Sequence, residues 1–309
     1  MWNFDNKCPK SEHQQMMAKA SESSPISPST EQRPPSLFLA VLIISCAKNA
    51  KQRQTIRNTW LKFGGQRSLT HRFVIGTFEL SEEQLTALDS EARTHNDLLL
   101  LSNIDDNYSG LTSKLLNSLK WFASNERFEY LLKLDDDSFA RIDKIYDELK
   151  AMNKVRTNLY WGYFDGRASV KRRGHWKEEN WFLCDRYLPY ALGGGYLLSR
   201  YLVDFVAKNA HLLQLYNNED VSLGVWLSPL KIDRIHEPRF DTEYESRGCL
   251  NEFLITHKQS MDLMFEKYNN ILKFGKMCAK EIIHRNLYLY NWKVQPSQCC
   301  IRNISSISS

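Results

Sequence analysis

Apolar and polar positions fall into alternating blocks along the first half of this chain. Residues 37–45 begin with the unbroken run L-F-L-A-V-L-I-I. A short dense run of that kind fits a strand buried on both faces. Residues 51–62 read as a helix and 72–78 as a strand. Residues 81–94 read as a helix, with Ser81 as N-cap and Glu82 and Glu83 in its first turn. The rhythm continues with a strand at 97–101, a helix at 111–123, a strand at 130–134 and a helix at 142–152. Further on, 201–215 reads as a helix and the segment S-L-G-V-W-L after Val221 as another. Strand and helix in alternation predict an α/β fold with a mostly parallel, doubly wound sheet. Ligands of such sheets bind at the carboxyl ends of the strands, so chemistry is expected just after them.

The ends differ from this middle. Residues 1–36 are polar and rich in Ser, Pro, Gln and Glu, the composition of a disordered segment. Residues 301–309 read as a frayed tail, leaving 37–300 as one folded region. The run at 37–44 is about half of the ~20 residues that a membrane-spanning helix needs, and no longer apolar run occurs. The net charge of +5 is spread out apart from Lys171-Arg172-Arg173, so no stripe argues for nucleic acid. None of the seven cysteines forms a C-x-x-C pair, which speaks against structural zinc. Cys278, Cys299 and Cys300 crowd the C-terminal end, as in chains from an oxidising compartment. Sequons stand at Asn107 and Asn303.

The sharpest chemical feature is Y-L-L-K-L-D-D-D-S-F at 130–139. An apolar strand ends in Asp135, Asp136 and Asp137, three carboxylates that repel one another unless a cation balances them. Oxygen ligands favour Mg²⁺ or Mn²⁺, which fills its shell with substrate phosphate and water. In an extended segment Asp135 and Asp137 would point the same way, towards one ion. His257 follows an apolar stretch and is a further candidate ligand, its imidazole suiting Mn²⁺ better than Mg²⁺. Glu219 and Asp220 open a helical segment, where acids either complement the helix dipole or serve as a general base. Gly193-Gly194-Gly195 reads as a tight turn or as backbone left bare for close approach.

Several ordered motifs together resemble the Golgi β-1,3-glycosyltransferases, the β-1,3-galactosyltransferase family with a GT-A fold. The resemblance covers about residues 37–300. It rests on Arg53-x-x-x-Arg57-x-Thr59-Trp60, Asp106-x-Tyr108-x-x-Leu111-Thr112-x-Lys114, Lys133-x-Asp135-Asp136-Asp137-x-Phe139, Gly193-Gly194-Gly195-Tyr196 and Glu219-Asp220-Val221 with Gly224. The segments at 187–196, 238–244, 256–260 and 296–300 look like the branch that builds the glycosaminoglycan linker of proteoglycans. The resemblance implies an inverting transfer of galactose from UDP-galactose, in β1,3 linkage, to a galactosyl-xylosyl acceptor. It implies a metal at Asp135, Asp137 and His257, with Mn²⁺ favoured and Mg²⁺ possible. It implies Asp220 as the base with Glu219 beside it. Ser45, Arg53, Arg57, Asp106, Lys114, Asp136, Gly194 and Gly195 would surround the nucleotide sugar, Asp136 near the ribose, although Arg57 could equally pair within the fold. Golgi membrane association is implied too, yet the family's N-terminal anchor is not visible here.

Other readings remain open at this stage. One is a β-1,3-N-acetylglucosaminyltransferase of the same family, and another is an inactive sugar-binding homologue. A D-x-D phosphatase is disfavoured, because Phe139 stands where that motif expects Thr or Val.

Overall fold

A computed structural model describes residues 37–152 and 155–302. The polar segment 1–36, the tail beyond Arg302 and the Asn303 sequon lie outside the described residues. The strands are β1 (Leu37–Ile44), β2 (Leu69–Phe78), β3 (Leu98–Asp105), β4 (Phe128–Asp135), β5 (Phe139–Ala140), β6 (Leu159–Asp165), β7 (Tyr190–Ser199), β8 (Asp233–His236), β9 (Phe240–Asp241), β10 (Gly248–Cys249), β11 (Ile255–Thr256) and β12 (Ile282–Ile283). The α-helices are α1 (Ala50–Asn58), α2 (Glu82–His95), α3 (Leu111–Asn125), α4 (Ile142–Ala151), α5 (Arg200–Asn209), α6 (Glu219–Leu227) and α7 (Met261–Phe274).

Seven strands form the main sheet in the order β3-β2-β1-β4-β7-β6-β8. β7 alone runs against its neighbours; every other pair in the sheet is parallel. The expected α/β class, a mostly parallel sheet flanked by helices, is what the chain adopts. Leu39 to Ile43 of β1 are fully buried, as the unbroken apolar run predicted. α4 buries Ile142, Ile145 and Leu149 on one stripe, and truncating Ile145 to Ala would cost about 2–5 kcal/mol. α2 begins as read: Ser81 Oγ accepts from Gln84 N–H while the Gln84 side chain reaches back to the Ser81 N–H, a capping box.

Register decides what meets at the sheet's edge. Ile44 pairs with Asp135, and Leu134 pairs with Gly195. The carboxyl ends of β1 and β4 therefore lie level with the glycines of β7. A second sheet, β5-β11-β9, folds back over this edge, pairing Thr256 with Phe139. Gln259 N–H then donates to Asp137 O at 2.8 Å. This return delivers His257, over a hundred residues distant in sequence, beside the acidic triplet.

Three readings need correction. The helix expected over 201–215 ends at Asn209; a 3₁₀ turn at Ala210–Leu212 follows, and the chain then extends. The carbonyls beyond it are held elsewhere: Trp226 Nε1 donates to Gln214 O at 2.7 Å and Thr112 Oγ1 to Tyr216 O at 2.6 Å. Gly193 to Gly195 form no turn but lie inside β7. β6, β7 and β8, the antiparallel centre and far edge of the sheet, drew no strand assignment from the sequence at all.

Two disulfides are present among the described residues, Cys249–Cys278 and the adjacent pair Cys299–Cys300. Among the described residues, Cys46 and Cys184 have no disulfide partner. Arg302 is held by Glu243 and by Asn286 O. Among the described residues, no helix is long and apolar enough to cross a membrane.

Candidate active site

Asp135 is the last residue of β4, and Asp136 and Asp137 form the turn after it, closed by Ser138 N–H donating to Asp135 O at 3.1 Å. The turn, rather than extended backbone, brings the first and third carboxylates together. One ligand atom each from Asp135, Asp137 and His257 lies within 4.8 Å of the others. His257 Nε2 stands 2.9 Å from Asp137 Oδ1 and 3.4 Å from Asp135 Oδ2. Yet neither ring nitrogen nor Asp137 Oδ1 makes a hydrogen bond of good geometry, although all three are buried. Buried polar atoms left so are costly unless something joins them. Two carboxylates and an imidazole converging on one point form a donor set for a divalent cation such as Mn²⁺.

The charges agree with that role. Burial alone would lower the His257 pKa, but the carboxylates of Asp135 and Asp137 beside the ring raise it to about 9. The protonated ring thus supplies positive charge where a metal would, and ligation requires its loss. Burial would raise Asp135, yet Lys133 and His257 hold it well below the usual carboxylate range. Lys258 Nζ lies 3.3 Å from Asp137 Oδ2.

Asp136 faces the other way. Its Oδ2 accepts from Ser45 Oγ at 2.7 Å and from Asn49 Nδ2 at 2.9 Å. Burial raises its pKa. Ser45 is fixed in turn by Arg53, whose Nη1 donates to Ser45 Oγ at 3.1 Å and to Cys46 O at 2.6 Å. Arg53 Nε and Nη2 donate to Glu91, at 2.8 and 2.6 Å, and Nη2 also to Ala47 O at 3.5 Å. Arg57 pairs with Glu91 at 2.7 Å and with Asp97 at 2.8 Å. Both arginines of the first motif therefore spend most of their donors inside the fold. Lys114 Nζ donates to Asp106 Oδ1 and to Ser45 O, and Asp106 Oδ2 accepts from Ala47 N–H. Ser45, Arg53, Asp106, Lys114 and Asp136 thus form one connected patch after β1, while Arg57 stands one ion pair further out.

Glu219 and Asp220 begin α6, as read, but the N-cap position is that of Asn218, whose side chain makes no capping hydrogen bond. Glu219 is buried and its Oε1 accepts from Lys133 Nζ at 2.9 Å. Lys133 also donates to Asp135 Oδ1 at 2.8 Å and to Gly193 O at 2.6 Å. Asp220 Oδ2 accepts from Gly193 N–H at 2.9 Å. Burial, then repulsion from Glu219, pushes the Asp220 pKa up to about 8. A carboxyl poised there is suited to proton transfer near neutral pH. Asn218 Oδ1 accepts from Tyr108 O–H at 2.5 Å, which ties the start of α6 to the loop before α3.

The three glycines of β7 make room for these groups. A Cβ on Gly193 would sit 2.6 Å from Glu219 Oε1, and one on Gly194 would sit 2.6 Å from the His257 ring. A Cβ on Gly195 would meet Leu134 and Ile255 at 2.9 Å. Gly194 thus lies against the imidazole and Gly195 against the core. Lys133 stands in a motif without an assigned role, although its position two residues before Asp135 puts both side chains on one face of β4. Asn49 falls in none of the motifs and nothing in its local sequence marks it; Tyr108 stands in the Asp106-x-Tyr108 motif, where it carried no role.

The chain is also similar to known proteins. A family model described as galactosyltransferase matches residues 51–238. Beta-1,3-galactosyltransferase 6 of Mus musculus is 48% identical over 269 residues, covering 86% of this chain and 83% of the relative. UDP-GalNAc:beta-1,3-N-acetylgalactosaminyltransferase 2 of Xenopus laevis is 33% identical over 201 residues, covering 65% of this chain but 40% of that protein. Among solved structures, a mannosyltransferase of Pyrobaculum calidifontis, in complex with GDP-Man and Mn²⁺, aligns with 66% of this chain and 56% of its own at 11% identity and a TM-score of 0.39.

Proposed function

The chain belongs to the galactosyltransferase family, and on that premise we propose that it transfers galactose from UDP-galactose to O3 of a β-linked galactose in the proteoglycan linker. Its class is that of a hexosyltransferase. The mouse relative's name supports the galactose and the β1,3 linkage, and the segments that resemble the linker branch support the acceptor. Mn²⁺, held by Asp135, Asp137 and His257, would offset the charge that grows on the departing diphosphate.

The protein's own residues account for the rest. The carboxylate of Asp220 accepts the proton of the acceptor hydroxyl as that oxygen bonds to the anomeric carbon. The bond from that carbon to the UDP oxygen breaks on the opposite face, and the electron pair leaves with UDP. One displacement inverts an α-linked donor into a β-linked product. The Ser45–Asp136 patch binds the nucleotide, with Arg53 and Lys114 holding its shape from behind. The observation that carries this reading is the placement of a buried acid with a raised pKa and a convergent metal-ligand trio on one lip of the sheet, joined through Lys133 and Gly193. Intact side chains at all four positions speak against an inactive sugar-binding homologue.

The Golgi lumen is the proposed compartment. The family reading supports it, and so do two disulfides among the described residues, which persist in oxidising surroundings. A screen of purified protein with Mn²⁺ tests the assignment, crossing UDP-galactose, UDP-N-acetylglucosamine and UDP-N-acetylgalactosamine with galactosyl-xyloside and N-acetylglucosaminide acceptors. The expected product is galactosyl-β1,3-galactosyl-xyloside. Transfer to N-acetylglucosaminide alone, or from another donor alone, would reassign the enzyme within the family.

A further inference from the structure

Lys133 lies on β4 and is fully buried. An ammonium has three N–H donors, and here three acceptors on three different elements take them: Asp135 Oδ1 at the end of β4, Gly193 O on β7 and Glu219 Oε1 on α6. The Tyr196 ring closes the remaining side, its centroid 5.6 Å from Nζ. The Gly193 residue then passes the linkage on, because its carbonyl accepts from Lys133 while its N–H donates to Asp220 Oδ2. Asp220 is thus tied to Lys133 twice, through Gly193 and through the neighbouring Glu219. Asp135 is tied to the same nitrogen. A Lys that served only as filler would not have one acceptor in the metal trio and two beside the base.

We propose that Lys133 is a positioning residue that fixes the base Asp220 at a set distance from the metal-ligating end of β4, so that acceptor activation and leaving-group departure occur in register. This rests on the roles given to Asp220 and Asp135 in the preceding section. Removing Lys133 leaves Glu219 buried beside Asp220 with no cation between Glu219 and the triplet, and α6 then draws away from β7. A displacement of the base by about 1 Å is enough to lower turnover by about 10²-fold. Binding of the nucleotide with its metal moves the other way, because a cation that competes for Asp135 has gone.

The test is a double-mutant cycle on Lys133→Met and Asp220→Asn, with turnover and UDP–Mn²⁺ affinity measured for each form. The expected result has two parts. Lys133→Met loses about 10²-fold in kcat with UDP–Mn²⁺ affinity kept or raised, and it loses little more in the Asp220→Asn background. A merely structural lysine gives the reverse: affinity falls along with kcat, and the two kinetic losses multiply. Either of those outcomes overturns the proposal. Should Lys133→Met not fold, Glu219→Gln carries the same cycle, since it keeps an acceptor for Nζ while removing the charge; its smaller loss of turnover should also vanish in the Asp220→Asn background. The cycle uses whichever donor and acceptor the wild-type chain turns over. A wrong donor or acceptor therefore sinks the functional reading, while the mutants alone decide the role of Lys133.

Discussion

On one side of the acidic triplet, Asp136 accepts from both Ser45 and Asn49, and Arg53 and Glu91 brace Ser45 from behind. On the other side, His257 and Asp137 bring nitrogen and oxygen within 2.9 Å of each other without a hydrogen bond of good geometry. The scaffold behind the first side is self-sufficient: its arginines are matched within the protein by Glu91 and Asp97. The second side is arranged for a guest. Substitutions in that scaffold and on the second side should therefore fail in different ways, one in folding and the other in chemistry.

The largest expected effect is on the guest side. Asp137→Ala should abolish metal-dependent transfer and metal-supported UDP binding while near-UV circular dichroism stays native. Chelation of the wild-type protein should abolish transfer too, with Mn²⁺ restoring it. Full activity in excess chelator would remove the metal from the scheme.

Asp220→Asn comes next. It keeps size and hydrogen-bonding shape but removes basicity. Turnover should fall by about 10²-fold or more, the scale of general-base catalysis, with UDP-galactose affinity nearly unchanged. Near-normal turnover in this variant, with Glu219→Gln inactive, would swap the two roles.

On the self-sufficient side, Glu91→Ala leaves the buried Arg53 guanidinium without its carboxylate. The expected cost is about 3 kcal/mol of stability, read from urea unfolding, with kcat per folded molecule little changed. The acid behaviour has a defined sign. Burial raises the pKa of both Glu91 and Asp97, but their ion-pair partners outweigh it and hold both below the usual carboxylate range in the folded state. The stability they add is present above the unfolded carboxylate pKa and is lost as pH falls through the folded values. Glu91→Ala should flatten that acid limb, and an unchanged limb would show that the pairing contributes nothing.

The smallest effect is a displacement of the pH profile. Asp220 must be ionised to accept a proton, so kcat/KM should rise with pH through about 8, where burial and Glu219 place its pKa. Glu219→Gln removes the repelling charge and should move this limb to lower pH. A limb that stays in place would show that Glu219 does not act on Asp220.

The parts of the fold that were legible in the sequence are those where local pattern and tertiary structure agree. β1 is a two-sided apolar run, α2 carries its own capping box, and β4 ends where its carboxylates begin. β7 was illegible because three glycines have little preference for a strand, and distant partners hold them in one: Leu134 pairs with Gly195, Ser138 Oγ donates to Gly194 O, and Lys133 and Asp220 take the Gly193 carbonyl and N–H. α5 was overextended because nothing local stops it; the residues after it are captured by α3 and α6. In the site, Asp135, Asp137, His257 and Asp220 could be named from motifs. Lys133 stood in the same motif, but its importance lies in acceptors 60 and 86 residues away, which no spacing rule encodes.

The glycine strand has a bearing on how this protein can change over evolutionary time. At 193, 194 and 195 the chain presents absences, each shaped by a different neighbour: an acid, an imidazole and a pair of aliphatic side chains. A library randomised at these three codons and selected for transfer should return glycine at each, even though the backbone there is ordinary strand with no left-handed residue. Gene variants that add one methyl group at position 194 would be read as conservative by any scale of residue similarity, and they would strike at the imidazole all the same.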